Sequence, residues 1–155
     1  MKKGVKILAA IVLLIFIALQ LYQPVPNMDK GQVYKTDFME AHTSIPTDVK
    51  AILKISCYDC HSNHTNYEWY DYIQPARSFV DNHIKDAKED LNFNEWTTYS
   101  GRKQKRLITS IKKQIETKKI PMSSYTFIHN DAKLSDQQIK LLTDWLAKQE
   151  NRLME

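Results

Sequence analysis

Residues 5–22 are apolar at every position except Lys6 and Gln20. As a helix, a run of that length would rise about 27 Å, close to the hydrocarbon thickness of a bilayer. Lys2, Lys3 and Lys6 crowd one flank. The run therefore predicts a transmembrane signal-anchor over residues 1–22, crossing the cytoplasmic (inner) membrane once, with its N-terminus cytoplasmic and the rest of the chain periplasmic or outer-facing. A cleaved signal peptide is the main rival, although no A-x-A-like site follows the run, and a buried helix is the third reading. Residues 23–45 carry Pro24, Pro26 and Gly31 without sustained periodicity and predict an extended tether.

The pattern then turns helical and stays so over residues 46–150. Pro46, Thr47 and Asp48 open one helix, with Val49, Ile52 and Leu53 at helical spacing. A second opens at Pro75 and strings Phe79, Val80, His83, Ile84, Ala87 and Leu91 along one stripe. A third follows Gly101, turns Leu107, Ile108, Ile111 and Ile115 inward, and ends before Pro121. The last starts at Ser135, where Gln138 completes a capping box, and its stripe is Ile139, Leu142, Trp145 and Leu146. No segment alternates with a period of two. The pattern predicts an all-α fold, one helical domain behind the N-terminal helix.

Charge alters this picture little. The formal net charge is +4, but Lys2, Lys3 and Lys6 supply most of it; without them 19 of the 22 basic residues face 18 acidic ones. A general nucleic-acid binder is excluded on that balance. With 3 glycines and no Gly-rich loop, the chain also lacks a phosphate cradle.

The only two cysteines stand in CYDCHSNHTNYEWYDY, residues 57–72. Cys57 and Cys60 are three apart and His61 follows at once, so one helical turn points all three side chains the same way. Thioether bonds to two haem vinyl groups need thiols on one face, and an axial iron ligand must rise from it beside them. C-x-x-C-H meets that need and is a signature of c-type haem attachment. Two other readings of the pair are a redox disulfide, which would leave His61 idle, and a zinc site, for which no second cysteine pair exists.

The chain resembles the haem-binding domain family of exported bacterial c-type cytochromes over roughly residues 50–147. The resemblance is carried by CYDCHSNHTNYEWY (57–70), IQPA (73–76), DNH (81–83), LNFNEW (91–96), PMSSYTFIHNDAKLS (121–135) and TDWL (143–146). It implies a small cytochrome c-like helical fold with one covalently attached haem and its iron. In that family's pattern the methionine more often precedes the proline, whereas here Ile120 holds that place and Met122 follows Pro121.

Met122 is the first candidate for the position opposite His61, because a thioether is the usual partner of histidine in cytochromes c; its bland alternative is packing against haem without a bond. His129, then His83, are the alternative sixth ligands. His64 reads as solvated or bonded to a loop carbonyl, and His42 as an idle tether residue. Among the aromatics, Tyr67 and Trp69 are the candidates for the haem wall. Eight basic side chains over residues 101–119 face Glu116 alone, a face that suits either solvent or an acidic redox partner. The reading that results is a membrane-anchored monohaem electron carrier, not an enzyme, with unidentified redox partner proteins. A haem-based sensor with an open sixth position is the alternative, and a peroxidase-like activity the third.

Overall fold

The structure is a computed structural model and describes residues 2–29, 31–42 and 44–153; Met1, Lys30 and Thr43 of the expected anchor and tether, and residues 154–155, lie outside the described residues. It is all-α as expected, and among the described residues its only extended pairing is an isolated antiparallel bridge between Met28 and His64.

The first helix, α1 (Lys2–Leu19), corrects the expectation of a transmembrane anchor and, with it, of a single-pass location in the cytoplasmic membrane: no helix among the described residues is long and apolar enough to cross a membrane. The reason lies at its ends. Lys2, Lys3 and Lys6 fall inside the helix, and it stops at Leu19. The unbroken apolar run is therefore residues 7–19, about 20 Å of rise against the roughly 30 Å of a hydrocarbon core. Beyond Leu19 the chain turns onto the helical body. Gln20 Oε1 accepts from the Gln74 amide at 2.9 Å, and the Tyr22 carbonyl accepts from Gln74 Nε2 at 2.7 Å.

The segment expected as a spacer is extended but lies along the domain. Arg77 donates to the Pro24 carbonyl at 2.8 Å. The Asn27 carbonyl accepts from the Thr65 amide and the Asp29 amide donates to the Asn63 carbonyl, both at 2.9 Å. A short helix, α2 (Phe38–Ala41), is capped by Asp37 and sends Phe38, with no exposed surface, into the core.

The body follows the predicted periodicity. Helix α3 (Thr47–Ser56) buries Val49, Ile52 and Leu53, and one further turn, α4 (Tyr58–His61), continues from it. Helix α5 (Ala76–Asp90) begins after Pro75, and α6 (Gly101–Glu116) is capped by Ser100 and buries Leu107, Ile108, Ile111 and Ile115. A short α7 (Ser123–Ile128) precedes α8 (Asp136–Arg152), whose Ser135–Gln138 capping box is formed as the sequence predicts. Helices α6 and α8 run antiparallel, since Lys112 pairs with Glu150 and Lys118 with Asp136. Their stripes meet α3, Phe38 and the 3-10 turn Phe93–Thr98 in one core.

Helix α5 is the exception. Of its predicted stripe, Ile84 and the residue that caps it, Leu91, are buried, while Phe79 is half exposed. The short α4 and the 3-10 turn Trp69–Tyr72 pack on parts of this face, and the rest of it opens into cavities.

Candidate functional site

Cys57 ends α3 and precedes α4, so the chain makes one tight turn through Cys57, Cys60 and His61, closed by a 3.0 Å bond from the His61 amide to the Cys57 carbonyl. Both thiols are free and half-buried. Burial, helped by its neighbour Cys60, pushes the Cys57 thiol up to about 12. Burial, helped by Asp59, pushes Cys60 up to about 11. The site thus holds uncharged sulfur, and a thioether, also uncharged, suits the same surroundings.

His61 is oriented by backbone. Its Nδ1 lies 3.0 Å from the Ala87 carbonyl and 3.0 Å from the Leu91 carbonyl, both at the end of α5. Carbonyls only accept, so Nδ1 carries the hydrogen and Nε2 keeps its lone pair for a metal. The Phe93 ring meets the imidazole at 6.1 Å, inclined by 70°.

These side chains share a cavity of about 620 Å³ with Met122. Leu91, Phe93, Leu107 and Ile111 give it apolar walls, and Asp86, Asp90 and Arg106 stand on its polar side. A smaller cavity of about 140 Å³ adjoins it, and Cys60, His83, Met122 and Tyr125 border both. Met122 reaches this place by a defined turn. After α6, Lys118 takes a left-handed φ of 54°; its amide bonds to the Ile115 carbonyl, and the Lys119 amide to that of Gln114. That pair of bonds is the Schellman closure of a helix. The reversed chain passes Pro121 and delivers Met122 as the residue preceding α7.

The structure thus gathers Cys57, Cys60, His61 and Met122 at one cavity. His83 borders it too, with Nδ1 on the Phe79 carbonyl at 2.9 Å, which leaves its Nε2 lone pair. His129 lines only the smaller cavity, where its Nε2 is bonded to the Tyr70 hydroxyl at 2.9 Å. Tyr67 and Trp69 line neither. Tyr67 turns to the N-terminal segment, accepting from the Asn27 amide and stacking under Arg77, and Trp69 is 73 % exposed. His64 pairs with Asp29 at 2.9 Å, and His42 packs against Phe38 and Trp145 in the core rather than standing idle.

Several contributors were not singled out among the aromatics and stripes of the sequence. Tyr125 borders both cavities, and its hydroxyl donates to Asp59 Oδ2 at 2.8 Å, which ties α7 to the cysteine-bearing turn. Phe93, inside LNFNEW, forms part of the wall where Tyr67 was expected. Leu107 and Ile111 were recognisable as an inward stripe, but not as a cavity wall.

The donor set fits haem and fits a protein-only metal site poorly. Among the described residues no group of three or more His, Cys, Asp or Glu is placed to hold a metal ion. Haem iron asks the chain for one or two axial donors, and an apolar slot with paired thiols on one side supplies the rest. The comparisons agree: a family model described as "Haem-binding domain" matches residues 14–148. No curated protein and no solved structure matches the chain.

Proposed function

Because the chain belongs to the haem-binding domain family, we propose that it is a monohaem c-type cytochrome that carries single electrons. Cys57 and Cys60 would hold one haem by thioether bonds, and His61 Nε2 and Met122 would be the chain's donors to its iron. Bound haem supplies reversible one-electron exchange at iron. The observation that carries the reading is the double carbonyl anchor on His61 Nδ1, which aims Nε2 away from α5, on a turn whose thiols border the same cavity.

The chain's own residues have distinct tasks. Ala87 and Leu91 fix the tautomer and ring plane of His61, which raises the basicity of Nε2. Leu91, Phe93, Leu107 and Ile111 would cover one face of the haem with apolar side chains, and a drier face with a thioether ligand favours a higher reduction potential. No acid–base pair is assigned and no substrate is transformed. One redox partner, the electron donor, is a protein with an acidic face: Lys112 and Lys118 are engaged by Glu150 and Asp136, and Arg102, exposed, and Arg106, at the cavity, are among the basic side chains of α6 that would meet it.

The test is co-expression with a cytochrome c maturation system, then haem staining on a denaturing gel and an absorption spectrum. Covalent haem in a low-spin spectrum that resists carbon monoxide is expected. Met122→Ala should open the sixth position and admit carbon monoxide. Ready binding by the unaltered protein would favour the sensor reading instead, and unstained protein would sink covalent attachment.

A further inference from the structure

Two trains of packed aromatic rings start at the large cavity. One runs from Phe93 through Phe38 to Trp96 and Trp145, all buried, and so ends inside the core. The other runs outward. Tyr125, on the cavity wall, stacks on His129 with ring centres 4.2 Å apart and planes 18° from parallel. His129 Nε2 is bonded to the Tyr70 hydroxyl at 2.9 Å. Tyr70 meets Trp69 edge-on at 5.6 Å, and Trp69 is 73 % exposed. The inner end is pinned by the bond from Tyr125 to Asp59, the residue before Cys60.

We propose that Tyr125, His129, Tyr70 and Trp69 form the route by which an electron leaves the haem cavity for the protein surface. The inference rests on the electron-carrier reading and adds the exit. Tunnelling falls off exponentially with distance and more steeply across empty gaps than through packed or bonded groups. A train in continuous contact therefore couples the cavity to the surface better than a path of equal length through loosely packed side chains. The balance is simple. Ferrous iron gives up one electron and becomes ferric, and a one-electron acceptor at the Trp69 end gains it. The four side chains bridge without net oxidation, and the proton between Tyr70 and His129 stays where it is. The position also accounts for Trp69, a large aromatic side chain left 73 % exposed.

The experiment uses the full haem-loaded chain carrying Glu68→Cys. With Cys57 and Cys60 bonded to haem, that thiol is the single site for a ruthenium polypyridyl label, and flash oxidation of the label reports the rate of electron transfer from ferrous haem. His129→Leu, which breaks the train at its centre, should slow this rate several-fold, and His129→Phe, which restores a ring, should recover most of it. The same pair of substitutions should leave unchanged the rate to a label at Lys140→Cys, exposed on α8. Equal rates for His129→Leu and the parent at the Glu68 label would overturn the route, as would equal slowing at both labels. Haem staining and reversible reduction of the parent separate this outcome from failure of the electron-carrier reading, with which the route would also fall.

Discussion

The Nδ1 of His61 lies 3.0 Å from the carbonyl oxygen of Leu91, the residue that closes α5. The imidazole is therefore steered by the C-terminal end of a helix, where the last carbonyls have no partner further along the helix and can accept a side chain. Side-chain substitution cannot remove such an acceptor, so the orientation of His61 withstands most changes around it.

Replacing the ring itself is decisive. His61→Gly should give a high-spin ferric spectrum while thioether attachment at Cys57 and Cys60 persists at reduced yield. Added imidazole should enter the vacated space and restore the low-spin spectrum. A low-spin spectrum without imidazole would mean that another side chain, not His61, is the proximal ligand.

Asn94 is a structural hub. It is 8 % exposed, its Nδ2 donates to Asp37 Oδ2 at 2.8 Å, and its Oδ1 accepts from the Asn63 amide at 2.6 Å. Asn94→Ala leaves a buried carboxylate and a backbone amide without these partners, at a cost of about 2–4 kcal/mol. Denaturant unfolding should show that loss, with the midpoint lowered and haem attachment reduced because Asn63 lies two residues past His61. A cost below about 0.5 kcal/mol, the range of ordinary surface changes, would remove Asn94 from this role.

Acid stability should depend on His42. Burial, and then the charge of Arg152, hold its pKa below the ordinary 6.5, despite a bond to the Phe38 carbonyl. The unfolded chain therefore takes up this proton before the folded one does. Stability from the neutral ring is complete above about pH 6.5 and is lost as pH falls below it. Thermal unfolding at about pH 7 and about pH 5 should differ less in His42→Phe than in the parent, by a few degrees. An unchanged difference would show that the carboxylates alone set the acid limit.

Lys118→Gly should stabilise the protein. A side chain in the left-handed region costs about 1 kcal/mol, which glycine avoids, while the Lys118–Asp136 pair that would be lost is exposed and contributes little. The melting temperature should rise by about 2–4 °C. A fall would mean that the ion pair, or the entropy of the unfolded glycine chain, outweighs the strain.

The helices of the body were legible because each carries a periodic stripe. Ile108, Ile111 and Ile115 on α6 and Leu142 and Leu146 on α8 need only be counted. The capping box at Ser135 was a local signal and formed as written, whereas the cap at Ser100, just before Gly101, went unread. Phe38 was not legible, since one buried ring on the single-turn helix α2 has no period and owes its burial to distant partners such as Trp96 and Trp145. At the N-terminus hydropathy alone misled. The apolar run counted from residue 5 to residue 22, but Lys6 interrupts it and the bonds at Gln74 end it early.

At the site, the spacing of Cys57, Cys60 and His61 told which side chains share a turn, because that geometry is local. Which aromatics face the cavity is a long-range fact. Tyr67 was drawn off by Asn27 and Arg77, from segments 40 residues before it and ten after it, and Phe93 took its place.

Backbone bonds from Asp29 to Asn63 and from Thr65 to Asn27 stitch the incoming arm beside the loop that leaves His61. A mechanical pull on the amino-terminal arm would load the bonds to Gln74 and to Arg77 on α5 first, and only then these two in shear. Once the earlier bonds gave way, the loop behind His61 would be the next element of the body to feel the load.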